Sequence, residues 1–86
     1  MQPLYKNDNA INFLKTEFGE NYQLVINKII DITIEHADPI MYFEYKNYAL
    51  VGTSMVWDIN EYEKWLNAKN IKTKKINILD FFYKLN

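Results

Sequence analysis

The first part of the chain has apolar side chains at helical spacing. Ile11, Leu14 and Phe18 are three and four residues apart, which places them on one face of a helix. Asn7 or Asp8 can begin this helix, because either side chain can accept a hydrogen bond from the unpaired N–H groups of a first turn. The pattern therefore predicts an N-terminal amphipathic helix.

The next segment fits two periodicities in succession. Its apolar residues first recur every three or four positions, as in a helix, whereas Ile30, Ile32 and Ile34 alternate with polar residues, as in a half-buried strand. We predict a second helix over about residues 20–29, followed by a strand that ends near His36. A single unbroken strand over the whole segment is the alternative.

A β-meander is predicted from the residues that follow. Residues 36–39, His-Ala-Asp-Pro, are typical of a turn, because Asp bonds its own backbone and Pro fixes its φ angle. Residues 40–46 and 48–52 are rich in Ile, Tyr and Phe, which favour strands, and a tight turn at residues 46–47 can join them. Together with the preceding strand they would form a three-stranded antiparallel sheet.

A capped helix follows at Asp58. Asp58 and Glu61 have the spacing of a capping box, in which the first side chain bonds the backbone N–H three residues later. Three apolar residues then share one face of this helix: Ile59, Tyr62 and Leu66. We predict that it ends near Asn70.

The tail, residues 76–86, is predicted to begin as a short strand or extended segment and to continue as a helix that Asn77 caps. The chain would then form one α+β domain over residues 1–86, with one or two N-terminal helices, the antiparallel β-meander, the capped amphipathic helix and this short terminal strand and helix.

Composition excludes several kinds of chemistry. The 86 residues include no Cys, one His and two Gly, so disulfides, thiolate or multi-histidine metal sites and Gly-rich phosphate loops are ruled out. No apolar run reaches the roughly 20 residues that span a bilayer, and the first residues contain no apolar signal segment. We expect a cytoplasmic protein with no cofactor, no metal and no membrane partner.

Catalytic groups are also scarce. His36 and Asp38 are the one place where a general base near neutral pH could arise, because His titrates in that range. Ser54, the single serine, lacks the second glycine that a nucleophile elbow requires. A turn histidine explains His36 better than a catalytic triad does, so we predict that the protein is not an enzyme.

Aromatic side chains are the main positive indication of function. Fourteen rings in a chain of this size are more than we expect one core to enclose, and exposed Tyr and Trp are typical of protein-binding patches. The candidate protein-binding residues are Tyr42, Tyr45, Tyr48, Met55, Trp57, Phe81, Phe82 and Tyr83. We predict a non-catalytic protein that binds another protein, with a homodimer as one form of such binding. Heavy use of Asn, Ile and Lys without Arg fits a phage or mobile-element accessory or inhibitor protein, and equally an ordinary bacterial protein.

Binding of single-stranded nucleic acid is the alternative. Charge is uneven along the chain, with −4 over residues 1–45 and +3 over residues 46–86. Four lysines in the second half could contact phosphates, beside strand aromatics that could stack on bases: Lys69, Lys72, Lys74 and Lys75. The absence of Arg and of the motifs of known RNA-binding modules disfavours this alternative.

Overall fold

The computed structural model describes residues 2–35 and 39–80. Its elements in chain order are β1 (Tyr5–Lys6), α1 (Asp8–Phe18), a 3₁₀ turn (Gly19–Asn21), α2 (Tyr22–Glu35), β2 (Ile40–Tyr45), β3 (Tyr48–Val51), β4 (Met55–Asp58), α3 (Ile59–Ala68) and β5 (Thr73–Asn77). The strands form a five-stranded mixed sheet in the order β1-β4-β3-β2-β5. Strand β5 runs parallel to β2, and the other neighbouring pairs are antiparallel. The predicted α+β class is confirmed, with more strands than the sequence indicated.

Helices cover both faces of the sheet. Successive residues of a strand point to opposite faces, so neighbours in β2 enter different cores. Phe43 packs with α1 and α2 in the larger core, whereas Tyr42 packs with Tyr62 and Leu66 of α3 in the smaller one. The sheet therefore has two buried faces rather than one.

The second helix is longer than predicted. The strand predicted to end near His36 is wrong, because the chain stays helical through Glu35. The helix is held by Val25 and Ile29, which are buried against the larger core. Ile30, the first residue of the apparent alternation, is 40% exposed, so the alternating pattern does not mark a buried strand face.

The antiparallel meander exists, but its third strand is β4 rather than the segment before His36. The predicted tight turn joins β2 to β3, with Tyr45 opposite Tyr48. Lys46 takes the positive φ of this turn, at 53°. The predicted turn at residues 36–39 lies outside the described residues except for Pro39. Strands β1 and β4 were not predicted, and β1, with two residues, is too short to show a period.

Two predicted caps are confirmed. Asp58 Oδ1 accepts a hydrogen bond from the Glu61 N–H at 3.1 Å and begins α3. Asn77 Oδ1 accepts one from the Leu79 N–H at 2.9 Å, and residues 78–80 are helical after β5. The tail therefore starts as a strand and a capped helical turn, as predicted.

Helix α1 begins at the predicted place by a different interaction. Asn7 is its N-cap residue, but the Asn7 side chain makes no capping bond and its φ is 56°. Instead, the Asn7 carbonyl accepts hydrogen bonds from the N–H groups of Ala10 and Ile11. The Asn7 N–H in turn donates to the Ser54 carbonyl at 2.6 Å, which fixes the start of α1 to the turn before β4.

Candidate functional site

An open groove of about 470 Å³ lies between α1 and the end of the sheet that carries β1. Its floor is formed by aromatic rings, and its wall by the polar side of α1. The lining residues are Leu4 and Tyr5 around β1, Asn9, Asn12, Phe13, Thr16 and Glu17 of α1, and Tyr48 of β3. Three distant stretches of sequence therefore build one surface.

Three rings in contact make the floor. Tyr5 stacks on Phe13 with 5.0 Å between ring centroids, and Phe13 meets Tyr48 edge-on at 4.9 Å. Offset stacking and edge-to-face contact are the arrangements that aromatic pairs prefer, so the rings hold one another in place. Leu4, which is 53% exposed, extends this apolar surface to the rim.

The wall offers hydrogen-bonding groups. Asn9, Asn12 and Thr16 are three and four residues apart, which places them along one side of α1. The Thr16 hydroxyl donates to the Asn12 backbone carbonyl at 3.0 Å. The side-chain amides of Asn9 and Asn12 have no hydrogen-bond partner within residues 2–35 and 39–80, and each offers an acceptor oxygen and two donor hydrogens.

Glu17 also lines the groove, and its carboxylate already has hydrogen-bond partners. Its Oε2 accepts hydrogen bonds from the Tyr45 hydroxyl at 2.8 Å and from Lys46 Nζ at 3.1 Å. These bonds, that of Tyr45 first, lower the pKa of Glu17. Burial and the bond to Glu17 raise the pKa of Tyr45. At neutral pH the carboxylate is therefore charged and the phenol protonated.

The predicted aromatic residues are divided among different surroundings. Tyr48 lines the groove. Tyr42 and Tyr45 are only 3% and 6% exposed, because helices cover both faces of β2, and they leave little surface for a partner. Because both faces of the sheet are covered, rings are buried here that would be exposed in a sheet covered on one face only.

The remaining candidates lie away from the groove. Trp57 is partly buried against α3, where its ring stacks on Tyr62 at 5.6 Å. Its Nε1–H is buried without a hydrogen-bond partner in the described part of the chain. Met55 is partly buried in β4. Residues 81–83, which include Phe81, Phe82 and Tyr83, lie outside the described residues.

A second polar cluster joins β2 and β5 to α3. The Tyr42 hydroxyl donates to Glu63 Oε2 at 3.2 Å. Lys75 Nζ is 3.7 Å from a carboxylate oxygen of Glu63 and 3.7 Å from one of Glu44. Burial, and then the charge of Glu63, raise the pKa of Tyr42 to about 12. Each of these polar groups has a partner within the cluster, so we interpret the cluster as a structural contact between the sheet and α3.

The four lysines of the nucleic-acid alternative differ in their surroundings. Lys75 pairs with Glu44 and Glu63, and Lys69 Nζ lies over the Trp65 ring, 5.6 Å from its centroid. Lys72 and Lys74 are exposed at the β5 edge of the sheet. Two of the four lysines are thus engaged by other side chains.

The groups considered for catalysis are not brought together among the described residues. His36 and Asp38 lie outside them, and Ser54 is exposed in the turn before β4. No group of three or more His, Cys, Asp or Glu side chains in the described ranges could hold a metal ion. None of the helices described there is long and apolar enough to cross a membrane.

Comparison with protein-family models, with curated proteins and with solved structures finds no match for this chain. The groove is therefore interpreted from its own chemistry. The sequence indicated Tyr48 but not Tyr5, Asn9, Asn12 or Phe13. The two asparagines beside the apolar stripe of α1 were the available signal, but only the fold shows that they face an aromatic floor.

Proposed function

We propose that the protein acts without catalysis, by binding an extended segment of another protein in the groove beside α1. The observation that carries this proposal is the pair of unpartnered amides, Asn9 and Asn12, above the rings of Tyr5, Phe13 and Tyr48. An extended peptide presents N–H and C=O groups along its length together with side chains that need apolar contacts. The groove supplies groups of both kinds.

The amides suit recognition of a peptide backbone. One carboxamide can accept a hydrogen bond from a peptide N–H and donate one to a peptide C=O. Rigid rings add contact area at small entropic cost, since an aromatic side chain has few torsions to fix. Specificity would then come from the partner side chain that lies against Tyr5 and Tyr48.

The electrostatics of the groove support binding rather than catalysis. Glu17 has a lowered pKa and Tyr45 a raised one, so neither exchanges a proton near neutral pH. General acid–base catalysis is most efficient with a group whose pKa lies near the working pH.

The lack of Cys favours a reducing compartment, so we place the protein and its partner in the cytoplasm.

The test is a selection of linear peptides on the purified protein, followed by binding measurements on two double variants. Asn9→Asp with Asn12→Asp keeps the shape of the wall and removes its donors. We expect the selected peptides to lose about tenfold in affinity, the effect of one or two net hydrogen bonds. The matched control is Asn60→Asp with Asn67→Asp, on exposed positions of α3.

The control should bind the peptides as the native protein does. Selection that yields no peptide, or peptides whose affinity is the same for the Asn9/Asn12 variant, would contradict the proposal.

A further inference from the structure

Strand β5 forms one edge of the sheet. It pairs with β2 on one side, and no strand pairs with its other side within residues 2–35 and 39–80. Ile40 lies opposite Thr73, and the Ile40 N–H donates to the Lys72 carbonyl at 3.1 Å. This bond fixes which backbone groups of β5 face β2.

The outward groups follow from the strand period. In a parallel pair the residues that bond the neighbouring strand alternate with residues whose N–H and C=O point away. The Lys72 carbonyl bonds Ile40, so the residues whose backbone groups face β2 are 72, 74 and 76. The backbone groups at the free edge belong to the residues between and after them: Thr73, Lys75 and Asn77. Such a row is a template for an added strand.

Charge decides what kind of strand can pair there. Lys72 and Lys74 are exposed, and neither forms an ion pair with any residue that the structure describes. A second copy of β5 would bring lysines close to lysines across the new pair, which is unfavourable. An acidic strand would bring carboxylates to the same places.

We propose that β5 binds an extended acidic segment of a partner protein, which adds to the sheet as a sixth strand. Its backbone bonds the outward groups of Thr73, Lys75 and Asn77, and its carboxylates lie beside Lys72 and Lys74. This surface is at the opposite edge of the sheet from the groove, so the inference is independent of the groove's function.

The first experiment measures the charge contribution. A fluorescent peptide of alternating Val and Glu is titrated with the protein by anisotropy, and a peptide of alternating Val and Lys serves as comparison. We expect the acidic peptide alone to bind, and its affinity to fall as salt screens the charges. Lys72→Gln with Lys74→Gln should weaken it several-fold, whereas Lys28→Gln with Lys64→Gln, an equal charge change elsewhere, should not.

The second experiment measures the backbone contribution. Thr73→Pro removes one outward N–H at the first residue of an edge strand, a position where Pro is tolerated, and Thr73→Val is the control that keeps it. We expect Thr73→Pro to weaken the acidic peptide about tenfold, as loss of a hydrogen bond does, and Thr73→Val to leave it unchanged. An acidic peptide N-methylated at every residue keeps its carboxylates but has no N–H on either edge, so it tests the same bonds on the unmodified protein and should not bind.

Three results would overturn the proposal. They are failure of the acidic peptide to bind at low salt, equal binding of the N-methylated peptide, and tighter binding of single-stranded oligothymidylate that does not depend on the outward N–H of Thr73. The last result would assign the two lysines to phosphate contacts.

Discussion

Tyr42 of β2 donates a hydrogen bond to Glu63 of α3 across 3.2 Å, and this contact ties the sheet to the helix that covers its second face. The Tyr42 ring is 3% exposed and meets Tyr62 edge-on with 5.1 Å between centroids. Lys75 lies 3.7 Å from the same carboxylate oxygen and brings β5 into the contact. A buried phenol, a carboxylate and an ammonium thus join two strands to one helix.

Replacing Tyr42 with Phe should lower stability and change its dependence on pH. We expect a loss of about 1 kcal/mol at neutral pH, the net contribution of one hydrogen bond, or a Tm about 4–8 °C lower. The pKa of Tyr42 is raised from 10.0 to about 12, so the folded state favours the protonated phenol. The contribution of the protonated Tyr42 phenol to the stability of the fold is complete below pH 10 and is lost as pH rises toward 12.

The measurement is urea unfolding at neutral pH and across this alkaline range. Tyr42→Phe should lose less stability than the native protein as pH rises, although Tyr45 and Tyr62, whose pKa values are also raised, keep part of the dependence. Tyr5→Phe is the control, since the Tyr5 hydroxyl has no hydrogen-bond partner in the described ranges. Equal alkaline loss in the native protein and Tyr42→Phe would contradict the prediction.

Replacing Glu17 with Gln tests the ionised carboxylate that lines the groove. Hydrogen bonds from Tyr45 and Lys46 lower the pKa of Glu17 from 4.5, so the folded state favours the carboxylate. The contribution of the Glu17 carboxylate to the stability of the fold is present above pH 4.5 and is lost as pH falls below that value. We expect Glu17→Gln to cost about 0.5–1 kcal/mol at neutral pH, because the site is partly exposed, and to flatten the acid loss of stability.

Chemical denaturation on both sides of pH 4.5 measures this effect. Glu20→Gln is the matched control, because Glu20 is exposed and forms no ion pair with a described residue. An acid profile for Glu17→Gln that coincides with that of Glu20→Gln would count against the prediction.

The start of α3 depends on the side chain of Asp58. Asp58→Ala removes the acceptor of the Glu61 N–H and should cost about 1 kcal/mol, whereas Asp58→Asn, another good cap, should stay within a few tenths. Asn60→Ala is the control at an exposed position of the same first turn. Thermal unfolding followed by circular dichroism compares the three, and an Asp58→Ala midpoint equal to that of Asp58→Asn would show that the cap contributes nothing.

Local signals predicted the elements that local chemistry determines. Asp58, Asn77 and the turn at Lys46 each act within a few residues of chain, and the structure has a cap or turn at each. Long-range pairing was not accessible in this way. Strand β5 is next to β2 only because α3 carries the chain back across the sheet, and no pattern in residues 73–77 states this.

The burial of the aromatic rings was also misjudged, because it depends on contacts between distant parts of the chain. The sequence indicated more rings than one core could enclose, but α3 closes a second core over Tyr42, and the larger core encloses Tyr45. The groove is likewise a product of the fold, because Tyr5, Phe13 and Tyr48 meet only when β1 adds to β4 beside the start of α1. Of the three rings, the sequence indicated only Tyr48 as a candidate for binding, because it is an aromatic residue of a predicted strand.

The segment that fitted two periodicities offers the sharpest test of the fold. Asp31 is an exposed residue in the interior of α2, where the alternation suggested a strand. In a helix interior Pro removes a hydrogen bond and clashes with the preceding turn, so Asp31→Pro should cost about 3 kcal/mol or more. Asp31→Ala should instead raise stability by about 0.5 kcal/mol, since Ala is the better helix former.

Asp31→Pro separates the two conformations, with Asp31→Ala as the control at the same site. Far-ultraviolet circular dichroism should show less helix and a lower midpoint for Asp31→Pro, and an unchanged spectrum with a slightly higher midpoint for Asp31→Ala. In a strand neither substitution would change the helical signal, and Ala would not separate the two conformations by its midpoint, because Asp and Ala are both poor strand formers. An unchanged helical signal for Asp31→Pro would therefore contradict the helical assignment of this segment, and with it the covering of the larger core by α2.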